Sequence, residues 1–526
     1  MTNKSILTLA FFFFSSTIFC QPLSVQSVNC YGGSDYDGIY SCIETRDNGF
    51  LITGISNSNN GDIIGYHTGT CFANPNTYPC YDALILRIDS TGNIVWSKSF
   101  GGTEDDYAIE GIQIHDGNYI VVGTAKSLDG DIVSNHGGKD ATITKFDDAG
   151  NILWSRCYGG TNFEGFNSIE ETSDSGFIAI GSTLSNDGDV QGNHGFWDIW
   201  VVKLDGFGNI LWQKCIGGTG EDRGINIYET LNHSFICAGN SSSNDGDITS
   251  NHVGSNEYWL AKLDSLGSII WQKSFGGNGD DQCNYFYLVN DSEYIMTGKT
   301  NSTDGDVDPN IDLQYSNIWC LKINVNGQIL WKRTLGGSLP DYSTNLVLRN
   351  FNEIIISGTT LSNDGDVIHN HYPGNDFWLI DLDSNGIVRW QYTIGGSGEE
   401  DGGILNQISN GKFVLVGNTS SNDGDISGNH GFSDICLLKL NLNASGTNEI
   451  ENRTQFTFPN PTNDQINCLL KQNETEIYIY NVLGELISKK KLAGSTTQFR
   501  FDLSSVSSGV YFLRTNQNRV NQIVKY

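Results

Sequence analysis

Seven times along this 526-residue chain a polar loop returns, in six copies with acidic side chains spaced two apart, and in most copies a histidine follows. Asp129 with Asp131, Asp187 with Asp189, Asp245 with Asp247, Asp304 with Asp306, Asp364 with Asp366 and Asp423 with Asp425 form six Asp-Gly-Asp motifs; Asn60-Gly61-Asp62 stands in the first copy. His67, His136, His194, His252, His371 and His430 are the histidines. Hard oxygen donors on a flexible loop suit calcium, which makes Asp187, Asp189, Asp245, Asp247, Asp364, Asp366, Asp423 and Asp425 candidate ligands, with residues such as Asn193 and Asp198 beyond them. The spacing departs from the Asp-x-Asn-x-Asp-Gly pattern of helical calcium hands. The same residue types also do plain turn work, since Asp and Asn bond nearby backbone amides, Gly takes positive φ and His caps a strand end. Zinc is disfavoured because the histidines belong to different copies, too far apart for one tetrahedral ion. Catalysis needs a unique constellation of acid, base or nucleophile, and none stands at credible spacing.

The elements that must position these loops follow from a tryptophan. Trp96, Trp154, Trp212, Trp271, Trp331 and Trp390 recur every 58 to 60 residues, each followed within a few residues by Gly-Gly. A period of this length marks a modular array whose units bury their faces against neighbours. In the third unit, segments 166–172, 177–181, 198–204 and 210–216 read as four antiparallel strands, with Asp205-Gly206-Phe207-Gly208-Asn209 as a hairpin turn. Four such strands make one blade of an all-β propeller. The seventh unit stops after its third strand, Asp434 to Leu440, while Val25 to Gly33 matches Ile152 to Gly160 in its apolar, Cys and aromatic placement. The N-terminal strand is therefore expected to complete the last blade, close a seven-bladed ring and hide the open edges. Loops 2–3 and 4–1 then share a face, where Asp35, Asp37, Asp105, Asp106, Glu221, Asp222, Asp280, Asp281, Asp341, Glu400 and Asp401 would join the Asp-Gly-Asp loops in an acidic rim.

The net charge of −30 is uneven: residues 1–20 carry +1 and residues 447–526 carry +2, leaving −33 on residues 21–446. Such a body repels nucleic acid and anionic membranes. Lys4 and the Phe-rich stretch after it read as a signal peptide over 1–20, and no run is long enough for a transmembrane helix. Of 12 cysteines one falls in that signal, leaving an odd number that excludes a complete disulfide framework. Cys71 and Cys80 bracket an insertion peculiar to the first unit and could staple it in an exported protein. Cys30, Cys157 and Cys215 share one repeat position and read as unpaired thiols.

Lys203-Leu204-Asp205 and Gly208-Asn209-Ile210-Leu211-Trp212 give the unit a pattern that resembles the tryptophan-docking repeat of pyrroloquinoline-quinone-type propellers; the resemblance implies an outermost Trp strand whose indole packs between blades. No vicinal disulfide or cofactor residues of the quinoprotein enzymes accompany it. From Thr447 the period ends. Phe458-Pro459-Asn460-Pro461, Ile477 to Ile487, Phe501-Asp502-Leu503, Ser508 to Arg514 and Ile523 to Tyr526 together resemble the type IX secretion C-terminal sorting domain, with alternating apolar residues that read as a small β-sandwich. The resemblance implies export and either attachment to the outer cell surface or release, with the type IX machinery as partner through residues 447–526. The whole reads as a signal peptide (1–20), a seven-bladed propeller (21–446) and a sorting domain (447–526). The expected function is binding or adhesion toward a glycan or protein ligand. The alternatives are an extracellular hydrolase or lyase with carboxylates near the central channel, and a calcium-stiffened structural surface protein.

Overall fold

Strands that are mostly apolar, with no alternation of apolar and polar residues, need cover on both faces. Phe177–Thr183 and Asp198–Leu204 are such strands, and every one of their residues is buried. The computed structural model describes residues 23–442, apart from short segments at 74–75, 250–254, 291, 309–314, 350–352, 369, 372 and 410, together with strands of residues 457–525. The expected signal peptide, the 447 boundary, His252 and the Pro459–Pro461 part of the motif lie outside the described residues.

Residues 23–441 form one compact unit of seven four-stranded antiparallel sheets, and no helix occurs among the described residues. In the third sheet the order is Glu164–Glu171, Phe177–Thr183, Asp198–Leu204 and Ile210–Ile216, so chain order is spatial order. The closing sheet is the exception: Leu23–Tyr31 pairs with Asp434–Leu442 and supplies the missing outer strand. The ring closes as the sequence implies, and a strand edge that would otherwise template pairing with another chain is covered.

The cores lie between sheets. Phe166, Phe177, Trp200 and Val202 of the third blade pack with Ile120, Val122 and Ile143 of the second. The outer Trp bridges outward to the next blade. Trp96 Nε1 donates to Asp148 O and Trp331 Nε1 to Ser384 O, both at 3.0 Å, each carbonyl belonging to the following blade's 3–4 turn. The turn glycine beneath is required twice over. Gly208 has φ +79°, and a Cβ there would stand 2.9 Å from Tyr158 Oη and 3.2 Å from the Trp154 ring. A second set of tryptophans, Trp200, Trp259, Trp319 and Trp378, sits fully buried on the third strands.

The second unit holds two sheets. Thr457–Phe458, Gln465–Leu469 and Gln498–Asp502 form one; Leu486–Lys491, Glu476–Asn481, Gly509–Thr515 and Val520–Lys525 form the other.

Candidate binding face, blade clamps and axial channel

The Gly-Gly turns and the Asp-Gly-Asp loops meet on one face, each loop folding onto the turn at the head of its own blade. In the third blade Asp187 Oδ1 accepts the Thr161 N–H at 2.8 Å and its Oδ2 the Thr161 hydroxyl at 2.9 Å. Asp189 N–H donates to Gly159 O at 2.9 Å, and Asp189 Oδ2 receives the Gly159 N–H at 3.3 Å. The same contacts recur at Asp245 and Thr219, at Asp366 and Gly336, and at Asp425 and Gly395. The two carboxylates of a motif thus face different backbone partners. Among the described residues the sole group of three metal-capable donors within ligating distance is Cys71, Cys80 and Glu104, and a Cys71–Cys80 disulfide takes both thiols. The staple expected in the first-blade insertion is present, and Cys30, Cys157 and Cys215 are free.

The acidic rim needs correction. Asp105 is buried, accepting the Tyr78 hydroxyl at 2.7 Å and the Tyr81 N–H at 3.1 Å, and so are Asp37, Asp106, Asp222, Asp281, Asp341 and Glu400. The last six each head an inner strand and turn inward to satisfy their turn. Asp222 accepts the Gly218 N–H at 2.9 Å and the Ser241 and Ser243 hydroxyls at 2.5 and 2.7 Å. Seven of the eleven expected rim acids are therefore not surface charge, because sequence gives no sign of which carboxylate points in. Asp35, Glu221, Asp280 and Asp401 keep solvent contact. Alongside them this face exposes large apolar side chains, among them Phe72 (82% exposed), Leu128 (76%) and Phe432 (75%), with Ile64, Val133, Phe196 and Ile368.

Each described loop histidine is fixed by the acid that opens the third strand of its own blade. The Nδ1 distances are 3.0 Å for His67–Asp82, 2.5 Å for His136–Asp140, 2.7 Å for His194–Asp198, 2.8 Å for His371–Asp376 and 2.6 Å for His430–Asp434. The same carboxylate oxygen also accepts the histidine's backbone N–H. These acids are buried, and burial lifts the Asp82 carboxyl to about 6 despite the imidazole. Their second oxygens have no hydrogen-bond partner at Asp82, Asp140, Asp198, Asp376 and Asp434. They abut the α-carbon of the first Gly of the next blade, where a Cβ on Gly32 would come within 2.6 Å of Asp434 Oδ1 and 2.7 Å of Asp37 Oδ2.

The inner strands bring a further group together. Glu110 of the second blade accepts the Ile169 N–H at 2.7 Å, and Glu170 of the third accepts the Glu229 N–H at 2.5 Å. Both glutamates are only part-exposed. Burial pushes each carboxyl up to about 7, with the backbone bond opposing and, at Glu170, Glu229 and Glu110 adding repulsion. Tyr228 and Tyr285, from blades four and five, share this interior. Burial holds both phenols well above their ordinary range, and the charge of Glu110 acts on each in the same direction. Sequence reading missed this group. Its signal was a departure from the repeat, since the bulge position of Glu110 holds Ser168, Asn226 and Asn345 in other blades. At the mouth of the 1–2 turns Ser173 Oγ lies 3.0 Å from His233 Nδ1, and Glu229 Oε1 lies 2.9 Å from the same nitrogen. A Ser–His–acid relay needs the two partners on opposite ring nitrogens, so this trio is a hydrogen-bonded turn.

Residues 457–526 match the family model of the secretion system C-terminal sorting domain. No curated protein matches the chain by sequence. Among solved structures, the WD40 domain of Neurospora crassa Pan2 is similar at 10% identity and a TM-score of 0.42, covering 79% of this chain and 95% of that one. PorZ, a surface component of the type IX secretion system of Porphyromonas gingivalis, is similar at 11% identity and a TM-score of 0.37 over 94% of this chain and 60% of that one. A Synechocystis apocarotenoid oxygenase variant gives 12% and 0.36 over 71% and 93%.

Proposed function

We propose that this propeller, exported under the address of its sorting domain and displayed on or released from the cell surface, is a binding module that engages a protein through the face of its Asp-Gly-Asp loops. The observation that carries the reading is the set of exposed apolar side chains there. Ile64, Val133 and Ile368 each follow a buried anchor, Ile63, Ile132 and Val367, so a rigid loop base presents them to solvent. Ile64, Leu128, Val133 and Ile368 offer no ring face on which a sugar could stack, and the mixed apolar surface they form with Phe72, Phe196 and Phe432 favours a protein over a glycan. The −33 charge of residues 21–446 favours a partner with basic side chains around an apolar centre. A photo-crosslinking residue installed at Leu128 or Phe432 of the secreted protein should capture that partner, and one at Leu231 on the 1–2 turn of blade four should not. Equal capture from both faces, or glycan-array binding lost on Leu128→Ser, would reject this assignment.

A second reading, an extracellular hydrolase or lyase, draws support from Glu110 and Glu170, whose carboxyls near 7 suit acid and base work at neutral pH. It predicts polymer turnover that Glu110→Gln and Glu170→Gln each reduce by about 100-fold or more. Turnover indifferent to both variants would end it.

A further inference from the structure

We infer that the gaps between successive blades on the loop face are divalent transition-metal sites, each held by the loop histidine of one blade and the second Asp-Gly-Asp carboxylate of the next. A histidine that ligates through one ring nitrogen ordinarily donates its other N–H to a carboxylate, which fixes tautomer and ring orientation. That arrangement stands here in five described blades: Nδ1 faces a buried acid at 2.5 to 3.0 Å, which commits the Nδ1 proton and turns the Nε2 lone pair outward. In two of them a carboxylate across the blade boundary stands opposite Nε2. His194 Nε2 lies 3.6 Å from Asp247 Oδ2, and His67 Nε2 lies 4.0 Å from Asp131 Oδ2. Both separations exceed a hydrogen bond. Two donors on one tetrahedral ion with bonds of about 2.0–2.1 Å stand roughly 3.3–3.4 Å apart, so a shift of about 0.2–0.3 Å closes the His194–Asp247 pair on a metal and one of about 0.6–0.7 Å the His67–Asp131 pair.

Solvent reaches the gaps. His136 and Asp189 line one pocket of about 440 Å³, and His67 and Asp131 line another of about 360 Å³, leaving room for the waters that would fill the remaining positions. Imidazole beside carboxylate selects a borderline ion of the zinc kind over calcium, which takes oxygen donors throughout.

The repeat supplies its own control. The fifth blade lacks the histidine, and it alone opens its third strand with a neutral residue, Asn317, where the other six have Asp82, Asp140, Asp198, Glu257, Asp376 and Asp434. Acid and imidazole disappear together, as expected if the acid is there to orient the ring. Asp366 of the sixth blade is kept but faces no histidine.

The test is calorimetric titration of the secreted full-length protein with Zn2+, in parallel with Ca2+, and a melting curve at each concentration. Zinc should bind at several equivalents and raise the melting temperature, since the site exists only when two blades are joined. His136→Gln and His194→Gln should each remove one equivalent, Asp198→Asn should weaken one site about 10–100-fold, and Asp366→Asn should change nothing. No zinc binding in the wild type, a stoichiometry untouched by the histidine variants, or calcium binding at the same sites with equal affinity would overturn the assignment. The wild-type titration decides even if a variant fails to fold.

Discussion

Lys332→Gln is expected to stabilise the propeller, and three sister blades say why. Trp200 Nε1 donates to Gln213 Oε1 at 3.0 Å, Trp259 to Gln272 at 3.1 Å and Trp378 to Gln391 at 2.7 Å, each Gln lying on the adjoining outer strand. At the same register the fifth blade has Lys332, which cannot accept, and the buried Trp319 Nε1 is left without a partner. An unsatisfied buried donor costs about 1–3 kcal/mol. What the substitution gives up is the 3.3 Å contact between Lys332 and Asp308, a pair exposed by about a third or more and worth about 0–1 kcal/mol. The net gain is roughly 1–2 kcal/mol. With an unfolding entropy of about 2.1 cal/mol/K per residue over about 420 residues, that is a rise of roughly 1–2 °C in Tm by scanning calorimetry. The reverse change, Gln213→Lys, should lower Tm by a similar amount. An unchanged or lowered Tm for Lys332→Gln, or no cost for Gln213→Lys, would refute the reasoning that this indole proton lacks only an acceptor.

Folding raises the Glu110 carboxyl from 4.5 to about 7, so the folded ring holds a proton that the unfolded chain has released, and stability contributed below pH 4.5 is lost as pH rises toward 7. Glu110→Gln should therefore match the wild type near pH 4 and exceed it near pH 8 by up to about 3 kcal/mol, read from denaturant midpoints at the two pH values. Gly208→Ala should cost about 2–3 kcal/mol, from left-handed backbone strain plus collision with Tyr158 and Trp154, whereas Gly192→Ala, at φ +94° with open space around it, should cost only about 1 kcal/mol; urea denaturation separates them. Deleting residues 457–526 should leave the propeller inside the cell envelope, seen by fractionation, because the sorting domain carries the export address.

Six blades were already written in the spacing of Trp96 through Trp390, since a period near 59 residues marks one repeated sheet that buries its faces on its neighbours, and the seventh in the unit that stops after its third strand. Closure was also legible. Leu23–Tyr31 carries the same alternation as the other outer strands, and an incomplete last sheet has a row of backbone groups to satisfy. The sorting domain declared itself by its motifs. The turn chemistry of Asp-Gly-Asp was visible too, because a short acidic side chain beside a glycine bonds the backbone nearest to it.

Direction and depth were not legible. Asp222 and Glu221 are neighbours of like charge, yet one caps a buried turn and the other keeps its place in solvent, a difference that rests on strand pleat and on serines some twenty residues away. Glu110 and Glu170 come from different blades and acquire their raised carboxyls only when the inner strands of several blades come together and bury them. The facing of His194 and Asp247 across a blade boundary likewise has no counterpart in one dimension, since 53 residues separate them along the chain and 3.6 Å in space. Local pattern determines which sheet forms; the electrostatic character of a carboxylate is set by the neighbours that ring closure brings to it.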